Sequence, residues 1–190
     1  MSQNPQHCPQ RLQLDPQGLL LGARYLPSAN CDERPEGTAV ELLVIHNISL
    51  PPNEFGGPGV IEMFSNRLDP ADHPYYPAIC ELKVSTHFFI RRDGEILQFV
   101  PCCKRAWHAG NSKWRGRPGC NDFSIGIELE GSNLLPFREP QYRALTLLTL
   151  ELKQAYPVKD IVGHSAIAPG RKTDPGPFFD WDRFFHDLRS

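Results

Sequence analysis

Val40-Glu41-Leu42-Leu43-Val44-Ile45-His46 is a nearly continuous apolar, β-rich run. A half-wet strand would alternate; this one reads as a strand buried on both faces, as in a sheet covered by helices. At His46-Asn47 it gives way to a long loop, 48–59, rich in proline and glycine. A histidine at the end of a core strand either opens onto a site or is a buried imidazole with satisfied hydrogen bonds. The segment alone leaves both open.

A second strand follows from Ser124-Ile125-Gly126-Ile127-Glu128-Leu129-Glu130. Ile125, Ile127 and Leu129 share one face, and Gly126, Glu128 and Glu130 share the other. The two carboxylates mark a solvated face, or Gly126 leaves room for something to approach them. In the second case a glutamate there can serve as general base toward a metal-bound water.

A third strand end, Asp160-Ile161-Val162, leads into a loop from Gly163 to Gly176 that carries His164, Lys172 and Asp174. Pro169, Gly170, Pro175 and Gly176 break regular structure, so neither a helix nor a long strand is expected there. His and Asp are zinc ligands, and a catalytic zinc takes three protein ligands with one position open. His164 and Asp174 supply two. His46 is the first candidate for the third, with His87 its competitor.

Around these segments, Asp93-Gly94 separates two β-rich runs, 86–92 and 95–100, and predicts a hairpin. His87 falls in its first strand, where a structural role is favoured. Helical spacing predicts a short helix over Val60–Leu68, a long one over Pro140–Tyr156 stopped by Pro157, and a C-terminal one over Phe178–Leu188. Trp107-His108 lies in a turn expected to be exposed, as a ligand wall or as loop packing. Residues 1–38 are polar and proline-rich without a period and read as an N-terminal arm packed on a domain spanning 39–190. The fold class is therefore α/β: a single domain with a central mixed sheet flanked by helices.

Composition narrows function. With 190 residues, 22% charged residues and a net charge of −2, the chain has no basic block for nucleic acid or a membrane surface. No apolar stretch is long enough to span a membrane and no signal peptide is visible, so a cytoplasmic protein is expected, a monomer with its six cysteines as free thiols.

Four blocks carry a family likeness: Leu43–Pro52, Arg105–Gly110, Asn121–Gly131 and Ile167–Gly176. Together they resemble the zinc N-acetylmuramoyl-L-alanine amidases of the peptidoglycan-recognition (amidase type 2) fold, most of all the cytosolic branch that acts on 1,6-anhydro-muropeptides in cell-wall recycling. The likeness runs from about residue 18 to 188. It implies Zn²⁺ held by His46, His164 and Asp174, Glu128 as general base, and Lys172 as the cation that stabilises the transition state. Asn47, Lys83, Trp107 and His108 are implied substrate contacts, and His87 becomes structural. Gly116–Cys120 departs from the family's pattern. The implied substrate is a soluble anhydro-muropeptide cut between the lactyl group and L-alanine. An amidase of intact peptidoglycan and a non-catalytic peptidoglycan-binding module are the alternatives.

Overall fold

The computed structural model describes residues 12–190. In chain order its strands are β1 (Arg24–Tyr25), β2 (Cys31–Glu33), β3 (Leu42–Ile48), β4 (Phe88–Ile90), β5 (Ile96–Gln98), β6 (Lys104–Ala106), β7 (Lys113–Trp114), β8 (Arg117–Pro118), β9 (Ser124–Glu130) and β10 (Asp160–Gly163). The helices are α1 (Gly59–Phe64), α2 (Glu139–Ala155), α3 (His164–Ile167) and α4 (Trp181–Asp187). Six strands form the main sheet in the order β1-β5-β4-β9-β3-β10; β2 with β6, and β7 with β8, make small ribbons.

At the centre, β9 pairs in parallel with both β3 and β4, and β10 pairs in parallel with β3. Burial on both faces explains the unbroken apolar run of β3. Leu43 and Ile45 join Ile125, Ile127 and Leu129 under Leu145, Leu148 and Leu152 of α2 and Phe184 of α4. On the opposite face Leu42 and Val44 meet Ala109, Cys120, Phe123 and Ile167. A third cluster packs α1 through Val60 and Phe64 against Phe89, Leu97 and Phe99.

The mixed α/β sheet is the expected fold, with several differences in detail. Pairing continues to Ile48↔Glu130, so His46 and Asn47 lie inside β3 rather than ending it. β4 and β5 form the expected antiparallel hairpin, with Gly94 supplying φ +92° in the turn, but His87 precedes the strand. α4 starts only at Trp181, because Asp180 caps it by accepting from the Arg183 N–H at 2.9 Å. His164–Ile167 makes one helical turn where none was expected; the breakers begin at Pro169 and leave four residues free to coil.

The aperiodic N-terminal stretch also contributes structure. Leu20 enters the main core, and β1 and β2 pair with β5 and β6. Strands of two and three residues leave no periodic signal. Residues 1–11 of the expected arm lie outside those described, as does Cys8; the other five cysteines are free thiols.

Arg34, just after β2, ties this segment to the centre. Its guanidinium donates to the carbonyls of Cys102, Asn121, Asp122 and Ser124 at 3.2, 3.2, 2.8 and 2.9 Å. Four acceptors in a planar fan suit a guanidinium and not an ammonium. Arg34→Met is expected to cost at least about 2 kcal/mol, since hydrogen bonds to a charged donor are lost. Urea unfolding checks this; an unchanged midpoint would remove Arg34 from the scaffold.

Candidate metal centre

The site forms at the carboxyl ends of β3, β9 and β10, where open parallel sheets place their ligands. Parallel register sets His46 beside Glu128 and Ile45 beside Gly163, so His164, the next residue, comes level with His46. After the α3 turn the chain doubles back: the Ser165 N–H donates to the Asp174 carbonyl at 2.9 Å. That contact delivers the Asp174 carboxylate to both imidazoles.

The three expected ligands thus converge. His46 Nδ1, His164 Nδ1 and Asp174 Oδ2 lie 3.0 Å from one another in each pairing. A tetrahedral zinc with bonds of ~2.0 Å separates its ligand atoms by about 3.3 Å, so the donor set and spacing fit such an ion. His46 and His164 are buried and Asp174 is partly so. Burial lowers the His46 pKa to about 4 despite the contact with Asp174, leaving a neutral ring at physiological pH. Burial opposes the Asp174 charge, but its contacts with His164 and His46 outweigh that and hold the carboxyl well below its usual range. A neutral imidazole at His46 and an ionised carboxylate at Asp174 are the protonation states that metal binding requires.

Glu128 faces the same space, 8% exposed, with Oε1 3.9 Å from His46 Nδ1. Its Oε2 is buried without a hydrogen-bond partner. A buried, unpartnered carboxylate oxygen is costly to keep, and such groups concentrate where chemistry uses them. Burial raises its pKa well above the ordinary 4.5; the Asp174 charge adds to this and Lys172 partly offsets it. Lys172 is exposed at the rim, close enough for its charge to act on both His46 and Glu128.

The other expected site residues are placed differently. Asn47 spends its amide hydrogens on Asn133 Oδ1 at 2.9 Å and the Pro175 carbonyl at 2.8 Å, clamping the two loops beside the centre. Trp107 is half-buried, and its side chain hydrogen-bonds Asp32 on β2. Lys83 is exposed on the loop before β4. His108 is the clearest correction: it is not an exposed wall but a buried ring whose Nδ1 lies 2.9 Å from His46 Nε2. The room beside Gly126 is filled by that same ring; a Cβ at Gly126 would stand 2.5 Å from His108 Cγ. His87 is buried and structural, accepting from the Gly126 N–H at 3.0 Å.

The chain matches the family described as N-acetylmuramoyl-L-alanine amidase over residues 36–177. It belongs to the N-acetylmuramoyl-L-alanine amidase family. Among curated members, the 1,6-anhydro-N-acetylmuramyl-L-alanine amidase AmpD of Escherichia coli (strain K12) is 55% identical over 170 residues, covering 88% of this chain and 93% of the relative. A crystal structure of a selenomethionine derivative of AmpD superposes with TM-score 0.90 at 53% identity, covering 92% and 98% of the two chains. AmiD from E. coli, solved with anhydro-N-acetylmuramic acid-L-Ala-D-γ-Glu-L-Lys, gives TM-score 0.59 at 28% identity, covering 92% of this chain and 65% of AmiD. The amidase activity of the family is accordingly that of this chain. No helix among the described residues is long and apolar enough to cross a membrane.

Burial of Glu128 makes a stability prediction for the metal-free amidase. A folded pKa above the unfolded one penalises only the ionised form. The penalty is absent below the ordinary value of 4.5 and grows as pH rises toward the folded value. Glu128→Gln, which mimics the neutral acid, is therefore expected to raise the melting temperature of metal-free protein at pH 7–8, with the gain shrinking toward pH 4. A gain independent of pH would contradict a buried ionisable role.

Proposed function

We propose that this chain hydrolyses the amide between the lactyl group of 1,6-anhydro-N-acetylmuramic acid and L-alanine in soluble muropeptides, with zinc held by His46, His164 and Asp174. The observation that carries the reading is the convergence of two imidazoles and a carboxylate beside a buried glutamate with an unpartnered oxygen. Similarity to AmpD over nearly the whole of both chains supports the substrate class.

Bound zinc would supply Lewis-acid polarisation of the scissile carbonyl and a water of lowered pKa. Glu128 stands within reach of the ligand set, and its raised pKa brings it toward the working pH, as a group that takes and returns one proton requires. It accepts the proton of the attacking water and delivers it to the amine of L-alanine as the C–N bond breaks. Lys172, at the rim, offers an ammonium to the oxygen on which negative charge develops. The loop between β3 and α1, residues 49–58, is anchored to β9 where the Gly56 N–H donates to Glu130 Oε1 at 2.6 Å.

Glu128→Gln is expected to retain one zinc and lose turnover by roughly 10²–10⁴-fold, the usual contribution of a positioned acid–base group. Lys172→Ala should retain zinc and lose roughly 10²–10³-fold, as with a lost oxyanion donor. Asp174→Ala should lose the metal; stoichiometric zinc in that variant would take Asp174 out of the ligand set. The substrate is tested by incubating zinc-loaded protein with anhydro-muramyl-tripeptide and, separately, with intact sacculi, following released peptide by mass spectrometry. Release from the soluble muropeptide is expected. Release from sacculi alone would move the activity to intact peptidoglycan, and no release from either would leave a binding module.

A further inference from the structure

The buried ring of His108 lies on one continuous row of polar contacts. His46 Nε2 is 2.9 Å from His108 Nδ1, His108 Nε2 is 3.0 Å from Ser124 Oγ, and Ser124 Oγ is 2.6 Å from the carbonyl oxygen of Cys120. All three side chains are buried, so water does not substitute for any link.

The direction of the row follows from its end. A carbonyl oxygen only accepts, so the Ser124 hydroxyl spends its one proton on Cys120. Ser124 Oγ must then accept from His108 Nε2–H. That leaves His108 Nδ1 as a bare acceptor in the neutral ring, and His46 must donate to it through Nε2–H. The lone pair of His46 is thereby left on Nδ1, the atom that meets His164 and Asp174.

The ring of His108 is held in place by its surroundings. Gly126 gives it a flat seat, since any Cβ there would overlap the imidazole. The backbone N–H groups of His108 and Ala109 both donate to Asn121 Oδ1, at 3.2 and 2.7 Å. The same short stretch serves the second ligand: the Ala109 carbonyl accepts from His164 Nε2–H at 3.2 Å, which turns Nδ1 of that ring toward His46 and Asp174. Arg171 donates to that carbonyl at 2.8 Å and to the Asn111 carbonyl at 2.7 Å, pinning the stretch from the ligand loop itself.

We infer that His108, oriented by Ser124, is a positioning residue that fixes the tautomer and aim of His46, rather than a contact for substrate. This rests on the reading of His46, His164 and Asp174 as a zinc site. Partners of this kind around metal-bound histidines are worth roughly 10–100-fold in metal affinity.

The test measures zinc affinity by competition with a chromophoric chelator at fixed pH. It compares the parent with His108→Phe, which keeps a ring over Gly126 but no acceptor, with His108→Asn, whose amide oxygen can stand in for Nδ1, and with Ser124→Ala. Imidazole ¹⁵N spectra of the zinc-loaded proteins report which ring nitrogen of His46 keeps its proton. His108→Phe is expected to weaken zinc by roughly 10–100-fold and to lose the pure Nε2–H form of His46. His108→Asn should recover most of both. Ser124→Ala should weaken zinc in the parent but not in the His108→Asn background, where the shorter amide does not reach residue 124; this cycle decides the matter even if His108→Phe does not fold. A parent that binds one zinc while all the variants bind it equally well would overturn the inference alone. A parent that binds none would overturn the metal site beneath it.

Discussion

Parallel pairing of β3 with β9 and β10 is the constraint on which the rest of this molecule depends. One register sets His46 level with Glu128 on one side and brings His164 alongside on the other. Side-chain alternation has a period of two, so a slip of one residue would turn His46 into the α2 core and Ile45 into the site. The apolar clusters on both faces hold that register, because each inward residue has its own packing partners. Chemistry and core are specified by the same pairing.

The centre is made of groups that water would otherwise satisfy. An isolated buried carboxylate is expensive, and two lie here, Asp174 and Glu128. The fold treats them oppositely. Asp174 is held ionised by two imidazoles, as a ligand must be. Glu128 has no such partner for Oε2, and burial pushes it toward neutrality, as a group that exchanges a proton requires. Two carboxylates with divergent environments in one pocket divide into a binder and a proton carrier. The stretch from His108 to Asn111 supports both imidazoles from behind, which makes a loop packed on β3 and β9 part of the ligand geometry.

Much of this was legible in the residues. The unbroken run of β3, the alternation of β9, the Asp-Gly turn and the leucine stripe of α2 each carry a local signal, and together they give a mixed sheet with helices on it. His164, Lys172 and Asp174 stood out because a loop full of breakers concentrated three chemical groups. What the residues hid were features made by long-range pairing. β1 and β2 are too short to have a period and exist only against β5 and β6. Arg34 carries no local signal, since its acceptors are backbone carbonyls 68 to 90 residues away. His108 pointed outward on paper because Trp-His in a turn suggests exposure. Gly126 held the missing clue: a glycine inside a buried strand signals close approach, but not that the approaching group is the chain's own imidazole.

The most direct test is a stoichiometric titration. Metal is stripped from the protein by a chelator, zinc is returned in fractions of an equivalent, and the initial rate of peptide release from anhydro-muramyl-tripeptide is read at each step. A centre built from His46, His164 and Asp174 predicts no rate at the start and a linear rise that breaks sharply at one zinc per chain. Full activity in the stripped protein, or a rate that shows no break at one equivalent, would contradict it.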